Sequence, residues 1–190
     1  LHATLMPFDY FADRRDDTVG LVQLAGLIEA ARAEAPNSIL LDNGDTFQGS
    51  ALGDLGAVDA SVTAGSHPML TAMNALGYDA ATLGNHDFDF GIEVLDRILA
   101  NAGFPIVLAN AQRPGNGEPF RPRHTILERE VEDIDGTRHP LRIGVTGTVP
   151  PQVARWNREI LNGQLVFEDA VSATAREARI EYKTAIHLLA

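Results

Sequence analysis

The chain contains no cysteine and a single tryptophan among its 190 residues. Without cysteine there are neither disulfides nor thiolate metal ligands, and any redox compartment remains compatible. No apolar run approaches the roughly 20 residues that cross a bilayer as a helix, so no membrane partner is expected. Positive charge is scarce as well: 15 Lys and Arg stand against 26 Asp and Glu, a formal net charge of −11. Nucleic-acid polymers are bound through basic surface, so DNA and RNA are not expected as partners. A small anionic substrate stays compatible with this charge where bound cations reverse the local field. No internal repeat, low-complexity tract or linker interrupts the chain. With 45% apolar residues it has the size and composition of one domain with its own core. An initiating Met is also missing. The chain opens at Leu1-His2, which reads as a processing boundary compatible with a removed export signal.

What is present follows an α/β rhythm. Residues 3–17 read as an ordered loop carrying Pro7, Phe8 and Tyr10. Thr18 is a candidate N-cap for a helix from Val19 to Ala35, with Leu21, Leu24, Leu27, Ile28 and Ala31 at helical spacing. Pro36-Asn37 ends it, and Ser38 to Asp42 reads as a buried strand. Residues 51–65 read as loop with one short helix. The next helix runs from Pro68 to Leu76, with Ser66 or His67 at its cap and Gly77 at its close. Tyr78 to Leu83 reads as a strand, Gly91 to Ala100 as a helix, and Phe104 to Asn110 as a third parallel strand. Beyond a Pro/Gly-rich loop, His124 to Glu132 and His139 to Val149 form an expected hairpin about Asp135-Gly136. Gln164 to Phe167 reads as a short strand, and Glu168 to Ala190 as a closing helix.

Two strand-to-helix corners carry the chemistry. The first is Leu41-Asp42-Asn43-Gly44-Asp45-Thr46-Phe47-Gln48-Gly49-Ser50. The second is Thr82-Leu83-Gly84-Asn85-His86-Asp87-Phe88-Asp89. Such corners are where ligands usually sit in α/β units. Taken singly, Asp45 suits an Asx-turn or helix cap as well as a bridging metal ligand. Asn85 suits a turn, and a lone loop histidine such as His86 is more often bland than catalytic. In combination they offer oxygen and nitrogen donors suited to Mn, Zn, Mg or Fe, in the pattern of a two-metal hydrolytic site. Asp89 lies three residues after His86 and is placed to orient its ring, while Asp87 reads as a helix cap.

Gly44-Asp45 with Gly49-Ser50, and Gly84-Asn85-His86-Asp87, resemble two signature blocks of the calcineurin-like metallophosphoesterases. The stretches His2 through Asp13, Asp42 to Asp45, His67-Pro68, Ala72 to Leu76, and Ile143-Gly144-Val145 leading to Val149-Pro150-Pro151-Gln152 are similar to its nucleotidase branch. The resemblance implies part of a four-layer α/β/β/α sandwich and hydrolysis of 2′,3′-cyclic nucleotides and 3′-nucleotides with two divalent metal ions. It implies His2, Asp45 and Asn85 as metal ligands, His86 as the group stabilising the transition state, and Asp89 as its partner. It further implies a periplasmic location and a nucleotide-binding C-terminal domain in the full-length protein. On this reading residues 1–190 are an N-terminal metallophosphoesterase domain incomplete at both ends. The Asp of the first block would precede Leu1, later histidine ligands would follow Ala190, and the isolated chain should show little or no activity. His187 matches no motif and is given no metal role.

The alternatives are a 5′-nucleotidase or sugar-nucleotide hydrolase, and a non-catalytic binding domain on the same fold. His67, His124 and His139 read as surface or strand-end residues, and Trp156 as a packing anchor. Arg14 and Arg15 read as solvated loop, and the acidic run from Glu128 to Asp135 as an exposed face.

Overall fold

The computed structural model describes residues 1–58 and 66–179, together with the backbone of 184–189. The expected N-terminal loop contains a two-residue hairpin, β1 (Phe8–Asp9) with β2 (Arg14–Arg15). Helix α1 (Leu21–Glu34) begins two residues later than expected. The Leu21 and Val22 amides find acceptors in the Thr4 and Leu5 carbonyls, at 2.9 and 3.0 Å. Thr18 instead gives its amide and hydroxyl to Asp16. Only Leu21 of the helix is buried, and Leu24 and Leu27 face solvent.

The alternation then runs as the sequence suggests, with shorter strands. β3 (Leu41–Asp42) leads to α2 (Ala51–Val58), and α3 (Pro68–Leu76) to β4 (Ala80–Ala81). Residues 59–65, part of the expected loop, lie outside the described residues. A 3-10 turn (His86–Phe88) precedes α4 (Ile92–Leu99), and β3 pairs with β4 in parallel. The expected third strand at 104–110 is reduced to one parallel bridge, Ala81 to Ile106. Its backbone passes between sheets instead: Val107 N–H bonds the Ala81 carbonyl, and Ala109 N–H the Gly147 carbonyl.

Next come β5 (Ala111–Gln112), the long hairpin β6 (His124–Glu132) and β7 (Arg138–Thr148), and two single-turn helices, α5 (Val153–Trp156) and α6 (Arg158–Leu161). β8 (Val166–Phe167) pairs with β5, and α7 (Ala170–Ala178) starts from an Asp169 cap. The closing segment is not helical to Ala190. α7 ends at Ala178, and β9 (Thr184–Leu189) runs parallel to β7, with His187 in register with Thr146. A short apolar run suits a buried strand or a helix equally by periodicity, and here the sheet edge takes it.

Side-chain alternation sets the layers. Ala80 and Val107 face one core with Leu127, Ile143 and Val145, whereas Ala81, Ile106 and Leu108 face another with Leu21, Met69, Met73 and Leu95. The short strands therefore lie between helices and the hairpin sheet. His124 pairs with Thr146, on the opposite face of that sheet from Ile143 and Val145, and its Nδ1 meets Glu177 of α7 at 2.7 Å. Helix α7 thus covers the far face, giving the order α/β/β/α. The acidic run of β6 and its turn is exposed, as expected. Trp156, expected to anchor packing, is 59% exposed; Val153 and Leu161 are the buried anchors of that corner.

His67 also departs from expectation, for it is buried. Its Nδ1 accepts the Met69 amide as the cap of α3, and it packs so tightly on α2 that a Cβ at Gly56 would lie 2.7 Å from Nε2. Burial pushes its pKa from 6.5 down to about 4. As pH falls from 6.5 the unfolded chain takes the proton first, so this contribution is present above 6.5 and lost toward 4. At pH 4.5 the loss is about 2.5 kcal/mol. Urea midpoints at pH 7 and 4.5 should therefore fall further in wild type than in His67→Asn, which keeps a capping side chain. Equal losses would refute this account.

Candidate functional site

Because β3 and β4 are adjacent and parallel, the loops that follow them leave one sheet edge side by side. They approach to backbone contact. A Cβ on Gly44, at φ +87, would lie 2.2 Å from the Gly84 amide, and one on Gly84 would lie 2.2 Å from Asp45 Oδ1. Only glycine permits this approach.

Asp87 joins the two loops. Its fully buried carboxylate accepts four backbone N–H groups: Thr46 and Phe47 on Oδ1 at 2.8 and 3.0 Å, Asp45 and Gly84 on Oδ2 at 2.9 and 2.8 Å. Asp87 is therefore not the helix cap that the sequence suggested; Asn85 holds the capping position of the 3-10 turn and Gly91 that of α4. Burial pushes its carboxyl up to about 6, against the pull of those donors. This linkage opposes that of His67, since the native carboxyl keeps its proton where the unfolded one has lost it. The difference between variants, not the wild-type slope, carries the His67 test. Asp42 secures the same loop by accepting from Gly44 N and Thr46 Oγ1.

Asp45 makes no local turn with its carboxylate. Oδ1 accepts the His86 amide at 2.8 Å, and Oδ2 faces His2 Nε2 at 3.9 Å. The backbone holds Asp45 at φ +54, and His2 and Ala3 beside it at +49 and +52. Left-handed non-glycine residues of this kind cluster at functional sites. His2 N–H and Ala3 N–H bond the Asp45 and Thr46 carbonyls, which lays the N-terminal strip along the loop. His2 Nδ1 meets the Gln48 carbonyl at 3.3 Å; a carbonyl only accepts, so Nδ1 carries the proton and Nε2 is left as a donor atom. The His2 and His86 rings stand edge to face at 5.5 Å. Asn85 spends no side-chain bond on capping. His86 Nδ1 meets Asp89 Oδ2 at 2.8 Å, and this bond raises the ring above its ordinary pKa.

The structure thus brings His2, Asp45, Asn85, His86 and Asp89 to one corner. Imidazole, carboxylate and amide are apt donors for Mn, Zn, Mg or Fe. The His2–Asp45 gap is too long for a hydrogen bond and near the roughly 3–3.5 Å between two ligands of one cation. Among the described residues no three His, Asp or Glu side chains gather as a group able to hold an ion. The donors therefore fit part of a centre. Sequence reading missed Asp87 as a clamp and Asn157, which donates to Asp89 at 2.6 Å. Phe88, apolar and buried next to Asp87, is the one local sign of an inward carboxylate; Asn157 has none.

No family model matches the chain. The helix–sheet–sheet–helix sandwich carries this donor corner at one sheet edge. The chain is 43% identical over 177 residues to the 2′,3′-cyclic-nucleotide 2′-phosphodiesterase/3′-nucleotidase of Yersinia enterocolitica, matching 93% of this chain and 27% of that enzyme. It is 34% identical over 161 residues to the 5′-nucleotidase of Rattus norvegicus, matching 83% of this chain and 25% of that one. The crystal structure of the calcineurin-like phosphoesterase YfkN from Bacillus subtilis superimposes with a TM-score of 0.91 at 35% identity, over 99% of this chain and 58% of that one. In sequence and in fold the chain matches calcineurin-like phosphoesterases and nucleotidases. It spans about a quarter of the length of the first of these relatives.

Proposed function

We propose that the full-length protein is a metal-dependent hydrolase of 2′,3′-cyclic nucleotides and 3′-nucleotides, and that this chain forms one wall of its catalytic centre. The observation that carries the reading is the bond from the His86 amide to Asp45 Oδ1, which ties the two loops into one donor cluster. His2, Asp45 and Asn85 would hold divalent cations, supplying charge neutralisation for the phosphate and a water acidic enough to attack it. Asp45 is held at Oδ1 with Oδ2 turned toward His2, and the Gln48 carbonyl keeps His2 Nε2 free for a ligand role. With Nδ1 engaged by Asp89, His86 has Nε2 left to donate to a phosphoryl oxygen as charge develops. Three donors fall short of the four to six that each ion of this kind takes. The remaining ligands, and a domain that grips the nucleoside, are proposed for the rest of the protein. The same resemblance carries the periplasm as its proposed location, which release by osmotic shock would test.

A substrate panel on the full-length protein with Mn²⁺ tests the activity. Turnover of 3′-AMP and 2′,3′-cyclic AMP should exceed that of 5′-AMP. The likeness to a 5′-nucleotidase supports a second reading, favoured if 5′-AMP is the faster substrate. Calorimetry that finds neither Mn²⁺ nor Zn²⁺ binding would favour a non-catalytic domain.

A further inference from the structure

Asp89 has a different partner on each oxygen. Oδ2 meets His86 Nδ1 at 2.8 Å, and Oδ1 accepts from Asn157 Nδ2 at 2.6 Å. An amide nitrogen only donates and a carboxylate only accepts, so the order of the bonds is fixed. Asn157 donates to Asp89, and Asp89 accepts the ring proton of His86. A carboxylate held at one oxygen can still swing about its Cβ–Cγ bond, and one held at both cannot.

The fold makes Asn157 a rigid hold. It is 6% exposed at the junction of α5 and α6, with Val153 and Leu161 fully packed on either side. Its own amide bonds the Val153 carbonyl, and its carbonyl accepts from Leu161. The same corner leans on the loop bearing His86: a Cβ on Gly91 would touch Ile160 Cγ2 at 3.5 Å.

We propose that Asn157 is a positioning residue for His86, acting through Asp89 to fix the carboxylate plane and thereby the direction in which Nε2 points. Its catalytic consequence rests on the phosphoesterase reading above; the geometric claim does not.

The test uses the full-length, metal-loaded enzyme. Outer-sphere supports of this kind are worth about 10–100-fold, so Asn157→Ala should lower kcat about tenfold and leave KM within twofold. Asn157→Asp keeps the shape but cannot donate to a carboxylate, and should lose at least as much. This second variant decides the matter if the first does not fold. In an Asp89→Ala background, Asn157→Ala should cost nothing further. Proton NMR supplies a readout free of turnover: the His86 Nδ1–H resonance, assigned by its loss in His86→Ala, should shift and exchange faster in Asn157→Asp. Turnover within twofold of wild type in both variants, or losses that multiply with that of Asp89→Ala, would overturn the proposal. A wild type without phosphoesterase activity would sink the catalytic reading, while the resonance would still decide whether Asn157 positions the ring.

Discussion

Replacing Asp87 by Ala in the full-length protein is expected to destabilise this domain by about 3–5 kcal/mol, the range for removing one partner from a buried charged network. The cost arises from what remains. Four backbone N–H groups, from Asp45, Thr46, Phe47 and Gly84, lose their acceptor, the last three of them in buried bonds. Relief of burying a carboxyl already pushed up to about 6 offsets part of this. Asp87→Asn should fall between, because an amide can turn its oxygen to one pair of donors only and presents N–H to the other pair. Urea unfolding gives both values, and a loss below about 1 kcal/mol in Asp87→Ala would refute the clamp. Calorimetry should show weaker Mn²⁺ binding alongside, since Asp45 takes its place from the loop that Asp87 holds.

The parts of this molecule legible in the sequence are those encoded by near neighbours. Pro68 and Gly77 bracket α3 as they should, and Gly136 at φ +79 turns the long hairpin where Asp135-Gly136 predicts it. The two loops were legible because each follows an apolar strand and concentrates Asp, Asn and His within a few residues. What the sequence conceals depends on partners far along the chain. Asp87 reaches 40–42 residues back for three of its donors, and Asn157 reaches 68 back to Asp89. Buried Asn110 likewise bonds both the amide and the carbonyl of Val149, 39 residues on, while its neighbours give no hint. The start of α1 moved for the same reason: carbonyls of Thr4 and Leu5 outcompeted the local cap. Trp156, 59% exposed, shows the converse limit. Apolarity indicates burial in general, but which face is covered depends on what the fold sets against it.

His86→Ala in the metal-loaded full-length enzyme is expected to lower kcat by about 10²–10³-fold, with KM little changed. This is the magnitude, about 2.7–4 kcal/mol, for removing one donor to a developing oxyanion. The expected split follows from the proposed role, a bond to charge that develops only in the transition state. The ring is held at Nδ1 by Asp89, its side chain is 44% exposed, and it stands edge to face with His2 at the donor cluster. The bond to Asp89 also raises the ring above its ordinary pKa. A loss caused by an emptied metal site would look similar in turnover alone. His86→Ala should therefore keep Mn²⁺ affinity within a fewfold by calorimetry, because its backbone amide still holds Asp45. His2→Ala and Asp45→Ala, which delete donors, should lose affinity and turnover together. A fall in kcat below tenfold for His86→Ala, with metal binding intact, would remove His86 from the chemistry.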